Sequence, residues 1–185
     1  MIILANNFSY IIMYPNRKSP RAKWIEYNCG TFFITACVHE KHHAFGYIRN
    51  GKMHRSEIGE ILHHELSVFS ERYADIDIPM FVVMPNHFHA IVSITTPDEA
   101  RFVPTEQAVQ QRMDKTARPR LSIVVAHIKS AVSRQARLVD PMFKWQSRYH
   151  DRLIRNQAEA NRISTYISEN VDRWAYDCFN ILPMR

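Results

Sequence analysis

The chain has 185 residues, of which 46% are hydrophobic and 23% charged, a balance that supports one compact domain and excludes global disorder. Its 24 Lys and Arg against 18 Asp and Glu leave a formal charge of +6 and a pI of about 9.4, which permits a polyanionic partner without requiring one. The three cysteines, Cys29, Cys37 and Cys178, form no CxxC pair, so a disulfide framework or zinc ribbon is excluded and a reducing cytoplasm is expected.

Met1 to Tyr14 is fairly apolar but lacks a basic start and a small-residue cleavage site, so no signal peptide is expected. No apolar run approaches the roughly 18 residues of a membrane span. Pro15 to Lys23 is basic and proline-containing and reads as part of an N-terminal arm covering 1–26. A main folded domain is expected over 27–176, with a tail over 177–185. Thr31 to Val38 is rich in β-branched and aromatic residues and reads as a strand. Ala44 to Ile48 follows as a second strand, and Asn50-Gly51 signals a turn into a third. Ser56 caps a helix expected to reach about Tyr73, with Ile58, Ile61, Leu62, Leu66 and Phe69 on its apolar stripe. Ile76 to Val83 and Phe88 to Ile94 read as strands joined at Met84-Pro85-Asn86. Residues 95–119 are polar, contain three prolines and read as a loop insertion. Ser122 opens a second helix, with Val125, Ile128 and Val132 inward and Lys129, Ser133, Arg134 and Arg137 on the other side. Trp145 to Ile154 is expected to be extended. Asn156 caps a last helix, with Glu159 placed as in a capping box and Ile163, Ile167 and Val171 as its stripe. This order implies an α+β domain with an antiparallel sheet backed by helices.

The chemistry concentrates at His87-Phe88-His89. Residues two apart on a strand share a face, so both imidazoles project together and Phe88 points the opposite way. Two such rings can chelate a divalent metal through one nitrogen each. The competing reading is a pair of surface histidines on an edge strand. Tyr166 and Asn170 stand four apart, one turn from each other, so Asn170 could add an amide oxygen to the metal with Tyr166 beside it. Here the competing reading is a packed tyrosine next to an apolar stripe. His42-His43 and His63-His64 are adjacent pairs whose side chains diverge, which makes them poor chelates.

The HxH strand preceded by Val82-Val83-Met84-Pro85-Asn86 carries a resemblance, together with Lys129-Ser130 and the segment from Trp145-Gln146 through Tyr149 to Ile154-Arg155-Asn156. Tyr166-Ile167 followed by Asn170, and Tyr27 to Thr35, belong to it as well. In these motifs the chain resembles the REP-associated tyrosine transposases, which are insertion-sequence-like HUH transposases with one catalytic tyrosine. The resemblance spans about Tyr27 to Trp174. It implies a ferredoxin-like or RRM-like antiparallel sheet, His87, His89 and Asn170 as metal ligands, and Tyr166 as nucleophile. Tyr149 is the rival nucleophile. It also implies single-stranded or hairpin DNA as substrate and cleavage with strand transfer through a 5′-phosphotyrosine. The metal expected is Mg2+ or Mn2+, the imidazoles favouring manganese or another transition metal. Lys129, Arg134, Arg137, Arg148 and Arg155 are candidate DNA contacts, with Arg152 and the arm's Arg17, Lys18, Arg21 and Lys23 behind them. Related enzymes are monomers or dimers, so a homodimer is one of two expected states. Two other readings stand beside this one: a catalytically silent hairpin-binding protein on the same fold, and a metal-dependent hydrolase unrelated to DNA.

Overall fold

The computed structural model describes residues 27–95 and 119–180. The expected arm over 1–26 lies outside them, as do almost all of the insertion and the end of the tail. Strand β1 (Gly30–Cys37) is followed by a hairpin of β2 (Gly46–Arg49) and β3 (Lys52–Arg55), then helix α1 (Glu57–Ser67) and a single turn, α2 (Phe69–Arg72). Strands β4 (Ile76–Val83) and β5 (His87–Ile94), helix α3 (Arg120–Val139), strand β6 (His150–Leu153) and helix α4 (Gln157–Ser168) complete the order.

Four strands form one sheet in the order β4-β5-β1-β6, every neighbouring pair antiparallel. Leaving out the β2–β3 hairpin, the sequence reads β-α-β-β-α-β with the second and third strands on one side of the first and the fourth on the other. That is the ferredoxin-like arrangement, followed here by one further helix.

The register divides the chain chemically. Phe32, Ile34 and Ala36 of β1 pair with Val92, Ala90 and Phe88 of β5 on one face. They join Ile58, Leu62 and Leu66 of α1 and Leu121, Val125, Ile128 and Val132 of α3 in the main core. On the other face Phe33 and Ile91 meet Ile163 and Ile167 of α4 in a smaller cluster. Among the described residues the sheet is therefore covered on both sides, and α4 is the long helix on the histidine side.

Local chemistry fixes these elements. Ser56 Oγ accepts from Gly59 N at 3.0 Å and donates to Ala44 O at 2.6 Å, so the cap also anchors the preceding hairpin. A Cβ at Gly59 would stand 2.1 Å from Phe45 O, so only glycine lets α1 start this close to that backbone. Asn50 and Gly51 both have positive φ, 53° and 68°, as a two-residue hairpin turn requires. Helix α3 starts at Arg120, two residues before the expected Ser122: Pro119 is its N-cap, the Arg120 N–H donates to Asn28 Oδ1 at 3.0 Å, and the Arg120 side chain pairs with Asp75 at 2.7 Å. The helix expected from Ser56 to Tyr73 breaks at Val68, whose ψ is 5°. Of the extended segment from Trp145 to Ile154, only His150–Leu153 is a strand. Trp145 makes an isolated bridge to Val38, and its Nε1 donates to Lys129 O at 3.1 Å.

Candidate active site

Strand alternation puts His87, His89 and Ile91 on the α4 side of β5, opposite Cys37, Thr35 and Phe33 of β1. Both histidines are fully buried and Phe88 lies in the main core, as the HxH spacing predicts. The expectation of a surface pair on an edge strand is not met: β5 is an inner strand of the sheet.

His87 Nε2 and His89 Nε2 face each other at 3.1 Å. Two nitrogens each about 2.1 Å from one ion and at right angles would stand about 3 Å apart, so the pair fits a chelate. The outer nitrogens are held separately. Asn86 donates its amide hydrogens to the carbonyls of Phe179 and Lys41 at 2.8 and 3.1 Å, which leaves its Oδ1 facing His87 Nδ1 at 2.8 Å. An oxygen acceptor there keeps the proton on Nδ1 and the lone pair of His87 on Nε2. His89 Nδ1 stands 2.7 Å from Thr35 Oγ1, a hydroxyl able to donate or accept as the tautomer demands. Burial holds both rings neutral. It drives His89 to about 3, with nearby His150 adding to the shift, and pushes His87 well below the usual range, helped by His89.

Tyr166 comes from α4, 77 residues further along the chain, and its Oη stands 3.2 Å from His89 Nε2. Its ring packs edge-on against Phe33 at 6.0 Å and against His89 at 5.2 Å. Burial raises its phenol above the ordinary value and the charge of Asp177 adds to that, while a hydrogen bond from Asn170 works the other way. Asn170 lies just past the end of α4, which stops at Ser168, and is buried. Its Oδ1 is one of two buried side-chain oxygens among the described residues that lack a hydrogen-bond partner, the other being Ser122 Oγ. Asn170 is tied by its side chain to Tyr166, whose oxygen stands beside His89, and an unsatisfied buried amide oxygen is a donor that a hard or borderline cation accepts.

The chain's return past α4 adds groups that spacing alone could not reveal. Asp177 joins His87 and His89 in a group whose ligand atoms all lie within 4.8 Å of one another and which can hold a metal ion. Burial raises its carboxyl, and the backbone N–H of Phe179, 2.7 Å from Oδ1, opposes that. Phe179, from the expected tail, is buried with its ring 4.5 Å from that of His87. Asn86 and Thr35 each carried a weak signal, being the residue before the first histidine and a hydroxyl within an apolar strand. Asp177 carried none.

The other candidates are dispersed. Tyr149 packs against the main core, away from the histidine face. Lys129 is half-buried, with its Nζ donating to Gln146 O and lying 5.7 Å from the Trp145 ring. Arg134 and Arg137 are exposed on α3, the layer on the opposite face of the sheet. Arg148 and Arg155 are exposed at either end of β6, and Arg152 forms an ion pair with Glu159 at 2.6 Å. No helix is long and apolar enough to cross a membrane among the described residues.

No protein-family model matches the chain. An uncharacterized protein of Haemophilus influenzae (strain Rd) is 28% identical over 165 residues, covering 88% of this chain and 92% of that one. Among solved structures, a candidate transposase from Deinococcus radiodurans R1 overlaps at a TM-score of 0.43 with 14% identity, over 82% of this chain and 96% of that one. A REP-associated tyrosine transposase, solved bound to a REP hairpin, matches at a TM-score of 0.55 with 18% identity, over 86% of this chain and 75% of that one. At such identity what is shared is the fold, and in its fold this chain resembles the REP-associated tyrosine transposase.

Proposed function

We propose that the protein cleaves and rejoins single-stranded DNA beside a hairpin, with Tyr166 as the nucleophile and a divalent cation held by His87, His89 and Asn170. The observation that carries this reading is the meeting of Tyr166 Oη, His89 Nε2 and His87 Nε2, each 3.1–3.2 Å from the next, on one face of the sheet. The hairpin-bound state of the fold neighbour supports the choice of substrate.

The chain's own residues set up the reaction. Burial keeps both imidazoles unprotonated, so their lone pairs are available at any physiological pH. Asn86 and Thr35 fix ring orientation from behind. Phe33 and the α4 stripe hold the tyrosine ring, which limits its oxygen to one position. A bound cation supplies positive charge that a phosphate oxygen can share and that favours phenolate over phenol. That help is needed, because burial alone holds Tyr166 in its unreactive phenol form.

Tyr166 Oη then bonds to the scissile phosphorus while the bond from phosphorus to the 3′ oxygen breaks. The phenol loses a proton and the departing 3′ oxygen gains one, so the exchange needs no net proton. A second 3′ hydroxyl reverses the step and seals the strand, because the phosphodiester energy is kept in the tyrosyl ester. Two imidazoles with an amide oxygen suit manganese better than magnesium. Arg148 and Arg155, exposed at either end of β6, would meet the strand's phosphates. Lys129, Arg134 and Arg137 would meet DNA that extends past the sheet. The protein would act in the cytoplasm, as a monomer or a homodimer.

The test is incubation with labelled hairpin DNA from the gene's flanks and Mn2+, followed by a denaturing gel. A protein–DNA adduct on the 5′-phosphate fragment, with a free 3′ hydroxyl on the other, is the expected result. DNA bound but never cut would instead indicate a hairpin-binding protein without strand transfer.

A further inference from the structure

The β2–β3 hairpin is not used by the proposed chemistry, and its two faces differ sharply. Inward, Ile48 packs on the cluster of Cys37, Met84, Trp174 and Phe179, and Met53 packs on the main core. Outward, Tyr47 and Arg49 of β2 stand directly opposite His54 and Lys52 of β3, and all four are exposed. The Tyr47 and His54 rings stack with centroids 5.0 Å apart and planes 15° from parallel. Tyr47 keeps 56% of its surface exposed. From Gly46 to Arg55 there is no acidic residue.

The Tyr47–His54 pair steadies the hairpin, but the Arg49–Lys52 pair does not, and most of the Tyr47 ring stays in water. Like charges directly opposite each other on paired strands destabilise the pair, and a large exposed aromatic gains little from burial. A flat ring pair beside two adjacent cations does match one kind of partner. Nucleic acid without a complementary strand offers a base face to stack and phosphates on either side of it. Duplex DNA hides its base faces, and an acidic peptide has none. The hairpin is also tied to the site: Ile48 touches the cluster containing Phe179, whose ring lies over His87.

We propose that the outward face of this hairpin is a docking platform for single-stranded DNA, with one base stacked on Tyr47 and neighbouring phosphates held by Arg49 and Lys52. The proposal rests on the reading of the protein as a single-strand DNA enzyme and adds the place where the strand is held outside the catalytic residues. The four side chains are exposed, so substitutions there leave the core and the histidine pair intact.

The test uses the full chain and a fluorescent oligonucleotide with a hairpin and a single-stranded flank. Anisotropy gives Kd over a salt series, with the denaturing-gel adduct measured in parallel. Tyr47→Ala should weaken binding roughly tenfold, and Tyr47→Phe should stay within about twofold of wild type. Arg49→Gln with Lys52→Gln should flatten the slope of log Kd against log salt by about 1.4, the share of two single-strand phosphates. If wild type binds and forms the adduct while all these variants bind equally well with an unchanged slope, the platform is wrong and the enzyme reading stands. If the variants weaken binding but no adduct ever forms, the platform stands and strand transfer falls. A wild type with no affinity for the oligonucleotide overturns both. Equal competition by poly-glutamate would show a face that senses charge alone, which also overturns the stacking assignment.

Discussion

Tyr166 Oη lies 3.2 Å from the same nitrogen of His89 that faces His87 Nε2 at 3.1 Å, so one imidazole stands between the tyrosine oxygen and the second histidine. If that nitrogen holds a cation, the tyrosine oxygen is already beside the charge that would activate it. No large movement of α4 is then required between metal binding and attack.

Tyr166→Phe removes that oxygen and keeps the ring against Phe33 and Ile163. Stability should fall by no more than about 1 kcal/mol, the net worth of a hydrogen bond. Hairpin DNA and Mn2+ should both still bind, while the covalent adduct disappears. Tyr149→Phe, in the main core, should keep it. An adduct lost with Tyr149→Phe and kept with Tyr166→Phe would move the active site to the segment around β6.

His87→Ala and His89→Ala should each abolish Mn2+ binding measured by calorimetry. Asn86→Ala leaves both ligands but frees the His87 ring and its tautomer, and should cost about 10- to 100-fold in metal affinity. Wild-type affinity in Asn86→Ala would mean that the ring is oriented by packing against Phe179 alone.

For a cation held by the two histidines, Asn170 and Asp177 are the two candidates for a third ligand. Asn170 offers an unsatisfied oxygen, whereas Asp177 has one oxygen engaged by the Phe179 backbone. Asn170→Ala should weaken Mn2+ binding by at least about tenfold, as loss of a ligand does, and Asp177→Asn should weaken it less. The reverse ranking would assign the third ligand to the chain's return segment.

The metal-free protein should be acid-sensitive. Both histidines are held neutral in the fold, with folded values below the unfolded 6.5, so the unfolded chain takes up more protons as pH falls below about 6.5. Their stabilising contribution is complete above that pH and is lost on the way down towards the folded values. The slope should approach about 2.7 kcal/mol per pH unit for two protons. Asp177, whose carboxyl is held above its ordinary value by burial, takes up a proton more readily in the fold and so offsets part of this at the acid end. Urea midpoints at pH 7 and 5.5 should differ in wild type and converge in the double variant His87→Gln with His89→Gln. An equal drop in both would place the acid sensitivity elsewhere.

Much of the fold was legible because it rests on local rules. Alternation along β5 placed His87 and His89 on one face, Asn50-Gly51 marked the hairpin, and Ser56 and Asn156 marked two helix starts, Asn156 accepting from Glu159 N at 2.9 Å. Glu159 completes the box differently from the sequence expectation, turning to Arg152 and the Arg155 backbone. What the sequence hid depends on chain return. Lys129 shares a helix face with exposed arginines, yet the Trp145 segment folds over it and takes its Nζ as a donor. Asp177 and Phe179 reach the site only because the chain doubles back after α4, and Asn86 binds them there through the Phe179 carbonyl. No periodicity encodes such a return.

The opposed faces of β5 give its reading frame a meaning beyond its composition. One residue inserted between Asn86 and His87, with the β4–β5 turn held in place, would turn the two imidazoles into the main core and Phe88 onto the opposite face, with no side chain lost. Substitutions at Phe88, Ala90 and Val92 are screened from the histidines by the thickness of a single backbone. The main core can therefore drift in sequence while the histidine face stays still, provided the strand keeps its count.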